Sequence, residues 1–248
     1  MKKAIIMGAT SGMGREVAKI LAEKGWMLGI AARREKKLKE LQSLFPQQIE
    51  YQVIDIEKED APQLLRSLIY KIGGMDLYFH GSGVGWHNKE LEPSTELKTC
   101  STNVLGFTRM VDAAWHYFRE KGDGHIAVIS SIAGVKGLGP APSYSATKSF
   151  DNTYIQALAQ LSRSTILENG KRLKIRFTDI RPGFVDTPLL DTSKHHYPML
   201  MKPEKVARKI VRAIERKKRT AIIDFRYRIL VFLWRMIPGF LWERIRLG

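Results

Sequence analysis

Acidic side chains, cysteine and long apolar runs are all scarce in this chain. There are 25 Asp and Glu against 41 Lys and Arg in 248 residues, a formal net charge of +16. Cys100 is the single cysteine, so no intrachain disulfide can form and a disulfide-stapled secreted scaffold is excluded. The opening MKKAIIMGAT has only a short apolar run before its first glycine, too short for the h-region of a signal peptide. It reads as a buried first strand of a protein made and kept in the cytoplasm. The longest uncharged apolar run near the C-terminus, Ile229 to Trp234, falls far short of the roughly 20 residues that cross a bilayer. There is no internal repeat and no low-complexity linker. No nucleic-acid recognition motif accompanies the basic charge, so nucleic acid is not expected as a partner, and no metal site is expected.

What is present is a regular alternation of apolar strands and amphipathic helices, with a hydrophobic content of 44%. Strands are expected at Lys2–Met7, Trp26–Ala32, Ile49–Ile56, Asp76–His80, His125–Ile129, Leu173–Ile180 and Thr220–Asp224, each separated from the next by helical periodicity. One long helix is expected over Thr95–Phe118 with Asn103 inside it, another from Pro142 to about Asn169-Gly170, and a third over Pro203–Lys217. This pattern predicts an α/β fold: a single doubly wound, Rossmann-like domain with a seven-stranded parallel sheet, spanning residues 1–224. Residues 225–248 form a basic, apolar helical extension.

Two stretches carry chemistry. Gly8, Thr10, Ser11, Gly12, Met13 and Gly14 lie in a turn between the first strand and the first helix. Glycines there let the backbone approach a pyrophosphate, and the helix N-terminus offers free N–H groups. The second stretch is SSIAGVKGLGPAPSYSATK. Ser131 stands thirteen positions before Tyr144, and Lys148 follows the tyrosine by four. On a helix from Pro142, Tyr144 and Lys148 share a face. An ammonium beside a phenol favours the phenolate, which makes a proton donor or acceptor usable near neutral pH. A serine hydroxyl at a strand end nearby could hold a carbonyl oxygen. At the end of the second strand, where an acidic side chain would take the ribose 2′-hydroxyl of NAD, stand Ala32 and Arg33; arginine suits a 2′-phosphate, which favours NADP(H) over NAD(H).

In order and spacing these motifs resemble the short-chain dehydrogenase/reductase family over roughly residues 3–225. The resemblance implies a catalytic set of Asn103, Ser131, Tyr144 and Lys148, with Tyr144 as proton donor, Lys148 also holding the nicotinamide ribose, Ser131 on the substrate oxygen and Asn103 supporting a water relay. It implies cofactor contacts at Asp55 (adenine), at Gly81, and in the segment RPGFVDTP through Pro182, Gly183, Val185 and Thr187, the last near the carboxamide. The chain has Gly81-Ser82-Gly83 where the family usually has Asn-Ala-Gly, which removes an asparagine that braces the sheet. It also lacks the Val-Asp-Gly-Gly often found near the seventh strand of acyl-carrier-protein reductases.

A substrate lid is expected over residues 188–202, with Leu189, Leu190, Tyr197, Met199, Leu200 and Met201 lining an apolar pocket, and with His195 and His196 as loop residues. From Lys202 onward fourteen Lys or Arg face four Asp or Glu, so +10 of the net charge lies there. Arg226, Arg228, Arg235, Arg244 and Arg246 interleave with Trp234 and Trp242. A helix pair broken at Pro238-Gly239 would suit a membrane surface, or equally a subunit-contact or lid helix pair burying the same apolar face. The expected activity is NADPH-dependent reduction of a lipophilic ketone, such as a 3-keto lipid of the 3-ketosphinganine type or a steroid, or the reverse oxidation. The family resemblance implies a homodimer or homotetramer. The competing expectations are a 3-oxoacyl thioester reductase and a non-catalytic NADP-binding scaffold.

Overall fold

The computed structural model describes residues 1–190 and 197–245. Seven parallel strands form one sheet in the order β3-β2-β1-β4-β5-β6-β7. They are β1 (Lys3–Met7), β2 (Met27–Ala32), β3 (Ile49–Val53), β4 (Leu77–His80), β5 (Asp123–Ile129), β6 (Lys174–Arg181) and β7 (Thr220–Ile222). The helices are α1 (Gly12–Glu23), α2 (Glu35–Leu44), α3 (Ala61–Lys71), α4 (Pro93–Cys100), α5 (Phe107–Lys121), α6 (Pro142–Ser164), α7 (Pro203–Glu215), α8 (Phe225–Met236) and α9 (Gly239–Trp242). The strand order reverses direction between β1 and β4. In open α/β sheets ligands bind beyond the carboxyl ends of the strands at such a switch point.

Alternation along β1 explains the two faces. Ala4 and Ile6 join a core with Val17, Ala18 and Leu21 of α1, Val206, Ile210 and Ile214 of α7, and Tyr227 and Val231 of α8. Ile5 and Met7 join the opposite core with Leu65 and Leu68 of α3, Phe107, Met110 and Phe118 of α5, and Ile155 of α6. A parallel sheet covered on both sides needs strands apolar throughout, and β1 and β4 are buried on both faces.

Three helix boundaries differ from expectation. The long helix around Asn103 starts at Pro93, and a π-helical turn at Ser101–Gly106 separates α4 from α5. Such turns interrupt the regular i→i−4 ladder and recur at functional sites. The helix carrying Tyr144 stops at Ser164, because Thr165 is extended and residues 166–172 turn back on themselves through an Ile166–Arg172 bridge. Gly170, with φ of +77°, serves that turn rather than a helix end. The helix from Pro203 ends at Glu215, and Lys217 lies beyond it with φ of +50°.

The C-terminal helices pack onto the body. Asp224 caps α8 by accepting from Arg226 N and pairs with Lys209 of α7 at 2.9 Å and with the Arg226 guanidinium at 3.0 Å. Those hydrogen bonds, led by that from Lys209, hold its carboxyl well below the usual range. Tyr227 is fully buried against Gly183: a Cβ on that glycine would lie 2.2 Å from the tyrosine ring.

Candidate active site

The glycine turn is a backbone-to-backbone contact. Gly8 has φ of +88°, and a Cβ there would lie 2.7 Å from both the Gly81 carbonyl carbon and Ser82 N. A Cβ at Gly14 would sit 2.3 Å from Gly8 O. The strand ends of β1 and β4 therefore meet without side chains between them, and Gly81 N donates to Met7 O at 2.8 Å. This contact does the bracing at a position where the family's asparagine is missing. The first turn of α1 opens onto a cleft of about 400 Å³ bordered by Thr10, Ser11, Arg15, Lys37 and Asp186. A glycine cradle and free helix N–H groups fit a dinucleotide phosphate, while the cations Arg15 and Lys37 on the cleft are balanced by Glu16, Glu40 and Asp186.

The arginine on this turn is Arg34. Its Nε and Nη2 donate to Thr10 Oγ1 at 3.2 and 2.7 Å, and Nη2 donates to Ser11 Oγ at 2.9 Å. Arg33 is exposed and makes no hydrogen bond or ion pair among the described residues. Sequence reasoning singled out Arg33 because it follows β2 directly, and nothing in the pattern ranks one neighbour above the other. Asp55, just past β3, accepts from Glu57 N at 3.2 Å. Met13, in the first turn of α1, packs on the core. Thr187 lies over Gly12, where a Cβ would be 2.8 Å from its methyl, so its loop folds across the glycine turn. Val185 is buried and bridges Met201, and the Pro182 carbonyl accepts from Ile132 N at 3.1 Å, which ties that loop to the end of β5.

Asn103, Tyr144 and Lys148 converge on the segment Gly83–Gly85. A Cβ at Gly85 would lie 2.4 Å from the Tyr144 ring, and one at Gly83 would lie 3.4 Å from Asn103 Oδ1 and 3.6 Å from Lys148 Nζ. At Gly85 only glycine lets the backbone pass the Tyr144 ring so closely, whereas a Cβ at Gly83 would make ordinary contact with Asn103 and Lys148. Lys148 Nζ lies 6.0 Å from the centroid of the Tyr144 ring and donates to Ile129 O at 3.3 Å, at the end of the strand that delivers Ser131. Ser131 is buried, and its Oγ accepts from Ala133 N at 3.1 Å, which orients the hydroxyl at the start of the short 3₁₀ turn 132–135. Its neighbour Ser130 donates instead to Asp179 at 2.5 Å.

The Asn103 amide is fully engaged. Oδ1 accepts from Val84 N at 2.9 Å, and Nδ2 donates to Val84 O at 2.7 Å and to Thr147 Oγ1 at 3.1 Å. Both N–H groups are taken, so the side chain clamps the 83–85 segment. The π turn that holds Asn103 is fastened by Glu57, which accepts from Lys98, Ser101 and Thr102 at 2.8, 2.9 and 2.6 Å. Burial works to raise the Glu57 carboxyl, but these donors outweigh it and bring it down to about 2.

Sequence reasoning missed Asp151, Asp179 and Glu57, all acids held beneath the site. A carboxylate in the middle of a helix or strand, as at Asp151 and Asp179, or in a turn, as at Glu57, gives no signal of its partners until the fold is known. The lid is only partly described: residues 191–196, with His195 and His196, lie outside the described residues, as does Arg246. Of the expected pocket residues, Tyr197 and Met201 are buried, whereas Leu189 and Leu200 are 39% and 40% exposed. Tyr197 rests against Phe184 with ring centroids 5.0 Å apart. A second cleft, of about 510 Å³, runs between residues 134–139 and the outer flank of α6, away from Tyr144 and Lys148. Helix α9 borders that loop through Trp242 Nε1, which donates to Gly137 O at 2.7 Å. Among the described residues there is no metal-binding cluster, and no helix is long and apolar enough to cross a membrane.

The family model for short chain dehydrogenases matches residues 2–198. An uncharacterized oxidoreductase of Myxococcus xanthus is 33% identical over 209 residues, covering 81% of this chain and 78% of its own. An uncharacterized oxidoreductase of Mycobacterium tuberculosis is 30% identical over 262 residues, covering 98% and 96%. Among solved structures, a 3-ketoacyl-(acyl-carrier-protein) reductase from Brucella melitensis complexed with NADH is similar with a TM-score of 0.77 and 25% identity, over 90% of this chain and 96% of that one. The fold is also that of an alcohol dehydrogenase from Thermococcus sibiricus complexed with 5-hydroxy-NADP, with a TM-score of 0.74, 24% identity and coverage of 90% and 95%.

Proposed function

The chain belongs to the short-chain dehydrogenase family and is an oxidoreductase of that type, and from that premise we propose that it reduces the carbonyl of a lipophilic ketone with NADPH, or runs the reverse oxidation. The observation that carries this reading is the convergence of Asn103, Tyr144 and Lys148 on Gly83–Gly85, beside the strand end that bears Ser131 and the glycine cradle. A bound nicotinamide supplies hydride. Tyr144 gives its phenolic proton to the carbonyl oxygen, which Ser131 holds by a hydrogen bond. Lys148, with two of its three N–H groups directed at protein acceptors, keeps one for the ribose. Asn103 acts by holding the 83–85 segment under the tyrosine rather than by offering its amide to a water.

Cofactor binding is assigned to the backbone around Gly8, Thr10, Ser11, Gly12, Met13 and Gly14, to Asp55 and Gly81, and to the loop of Pro182, Gly183, Val185 and Thr187. Preference for NADP(H) is assigned to Arg34, with Arg33 beside it. The resident arginine already bonds neutral hydroxyls at the rim of the cradle, and a phosphate is a stronger acceptor for the same donors.

A lipophilic substrate, whether a 3-keto lipid such as 3-ketosphinganine or a steroid, is supported by the apolar surface of the C-terminal helices, which pack against the loop 134–139 that follows Ser131. Phe225, Ile229, Phe232, Leu233, Met236 and Phe240 on α8 and α9 are more than half exposed, and the exposed Arg226, Arg228, Arg235 and Arg244 are interleaved with them along the chain. This face suits peripheral contact with an anionic membrane on the cytoplasmic side, or burial in a homodimer or homotetramer. A second reading, a 3-oxoacyl thioester reductase, is favoured by the similarity to the Brucella reductase. The test is a screen that follows NADPH absorbance with ketosphinganine, steroid ketones and 3-oxoacyl thioesters. Turnover of a ketone lipid supports the first reading and turnover of thioesters alone the second. Tight NADPH binding with no turnover of any carbonyl leaves a cofactor-binding scaffold.

A further inference from the structure

Lys148 is a buried cation, with its side chain 7% exposed, and the group nearest its charge is Asp151 one turn further along α6. The Nζ to Oδ2 distance is 2.9 Å, Asp151 is 1% exposed, and its Oδ1 has no hydrogen-bond partner. An ammonium taken out of water costs several kcal/mol unless a counter-ion and hydrogen bonds offset it. The other groups around it do not supply that charge. Asp179 on β6 is already bound on one oxygen by Arg181, at 2.6 Å from Nη2 and 2.7 Å from Nε, and on the other by Ser130. His80 at the end of β4 is neutral, pushed down to about 3 by burial and then by Lys148 itself. Asn103 donates to Val84 O and to Thr147 Oγ1, and the Thr147 hydroxyl donates to Tyr144 O. The remaining neighbours are the Tyr144 ring and Ile129 O.

We propose that Asp151 is a positioning residue for proton transfer: by pairing with Nζ it keeps Lys148 charged and fixed between Ile129 O and the Tyr144 ring. This rests on the assignment of Tyr144 and Lys148 above, and it adds a fifth member to that set. Burial alone would strip the lysine of its proton, but Asp151 first and then Tyr144 turn the net shift upward. Burial likewise raises the Asp151 carboxyl, against the pull of Lys148. Both partners thus hold protons more tightly than in water, and once Asp151 has ionised the pair is ammonium and carboxylate.

The consequence has a definite sign. Without the carboxylate, burial takes the proton from Lys148 within the working range. Carbonyl reduction needs that ammonium beside Tyr144, so the alkaline limb moves to lower pH. Asp151→Asn is expected to shift that limb down by about one pH unit or more, and Asp151→Glu to return most of it. Asp151→Ser, which leaves room for water, is measured alongside. A readout free of any carbonyl is NADPH affinity by fluorescence from about pH 6 to 10. In Asp151→Asn it should fall with rising pH at least a unit earlier than in the wild type. This binding arm decides the matter even if no carbonyl substrate is found, so failure of the reductase reading and failure of this inference are distinguishable. Curves that keep the wild-type limb, or fall by one factor at every pH, overturn it. If the single variants do not fold, Lys148→Met with Asp151→Leu should restore the fold by removing the unpaired charge, and a double variant that stays unfolded also overturns it.

Discussion

Replacing Arg34 by alanine separates the two nicotinamide cofactors. In the wild type its guanidinium bridges Thr10 and Ser11 through three hydrogen bonds of 2.7 to 3.2 Å, all to neutral hydroxyls at the rim of the glycine turn. A 2′-phosphate in reach of the same donors forms charge-assisted bonds, each worth about 1.5–3 kcal/mol net. With about 1.4 kcal/mol per factor of ten, loss of one such contact weakens NADPH by about 10- to 100-fold. NADH has no phosphate there, so its affinity should change by less than about threefold. Dissociation constants for both cofactors, by nicotinamide fluorescence at fixed ionic strength, give the ratio directly. Arg33→Ala serves as the control for general loss of positive charge, and its effect should be smaller. If Arg34→Ala weakens NADPH and NADH equally, the arginine holds the turn together and does not read the phosphate. If Arg33→Ala has the larger effect, the assignment belongs to the neighbour.

The remaining outcomes concern packing, acid sensitivity and the basic surface. Gly8→Ala forces a Cβ to 2.7 Å from two backbone atoms of Gly81 and Ser82 at a φ of +88°. Loss of about 2 kcal/mol or more by urea unfolding, together with loss of NADPH binding, is expected, and a variant as stable as wild type would contradict the contact. Burial, and then Lys217 and Arg176, bring His125 down to about 4, so its neutral form stabilises the fold above about pH 6.5. That contribution, about 3 kcal/mol, is lost as pH falls from about 6.5 to 4, and His125→Gln should lose less stability over that range in parallel melts. Phe232→Ser with Phe240→Ser alters two side chains on the exposed face and spares the buried Tyr227 and Trp242. Flotation with anionic liposomes should drop severalfold in that variant while its melting temperature holds, and equal recovery removes the membrane proposal.

Much of the architecture was legible because βα repetition is written in apolar periodicity, and the strand ends fall where glycine and serine interrupt it. Gly8, Gly81 and Ser131 lie at the ends of β1, β4 and β5, and parallel topology brings such ends to one edge of the sheet. The π turn at Ser101–Gly106 was not legible, since an isolated Asn103 and Gly106 inside an otherwise helical pattern are tolerated and do not signal a π turn. Tyr227 looked like part of an outlying extension. Only in the fold does its hydroxyl accept from Phe184 N and donate toward Pro198 O, which fastens α8 to the loop before the lid. Asp151 was hidden for a related reason. Its place one turn after Lys148 is visible in the sequence, but the burial that makes a 2.9 Å pair consequential is a property of α6 packed on the sheet.

The most direct test of the reductase account is Tyr144→Phe, which removes one oxygen atom from a ring seated on Gly85 and leaves the cradle at Gly8 untouched. Against any carbonyl that the wild type reduces, turnover should fall to less than about one per cent while the NADPH dissociation constant changes by less than about threefold. Turnover at more than a few per cent of wild type, with NADPH still bound, would place the proton donor elsewhere and contradict the account.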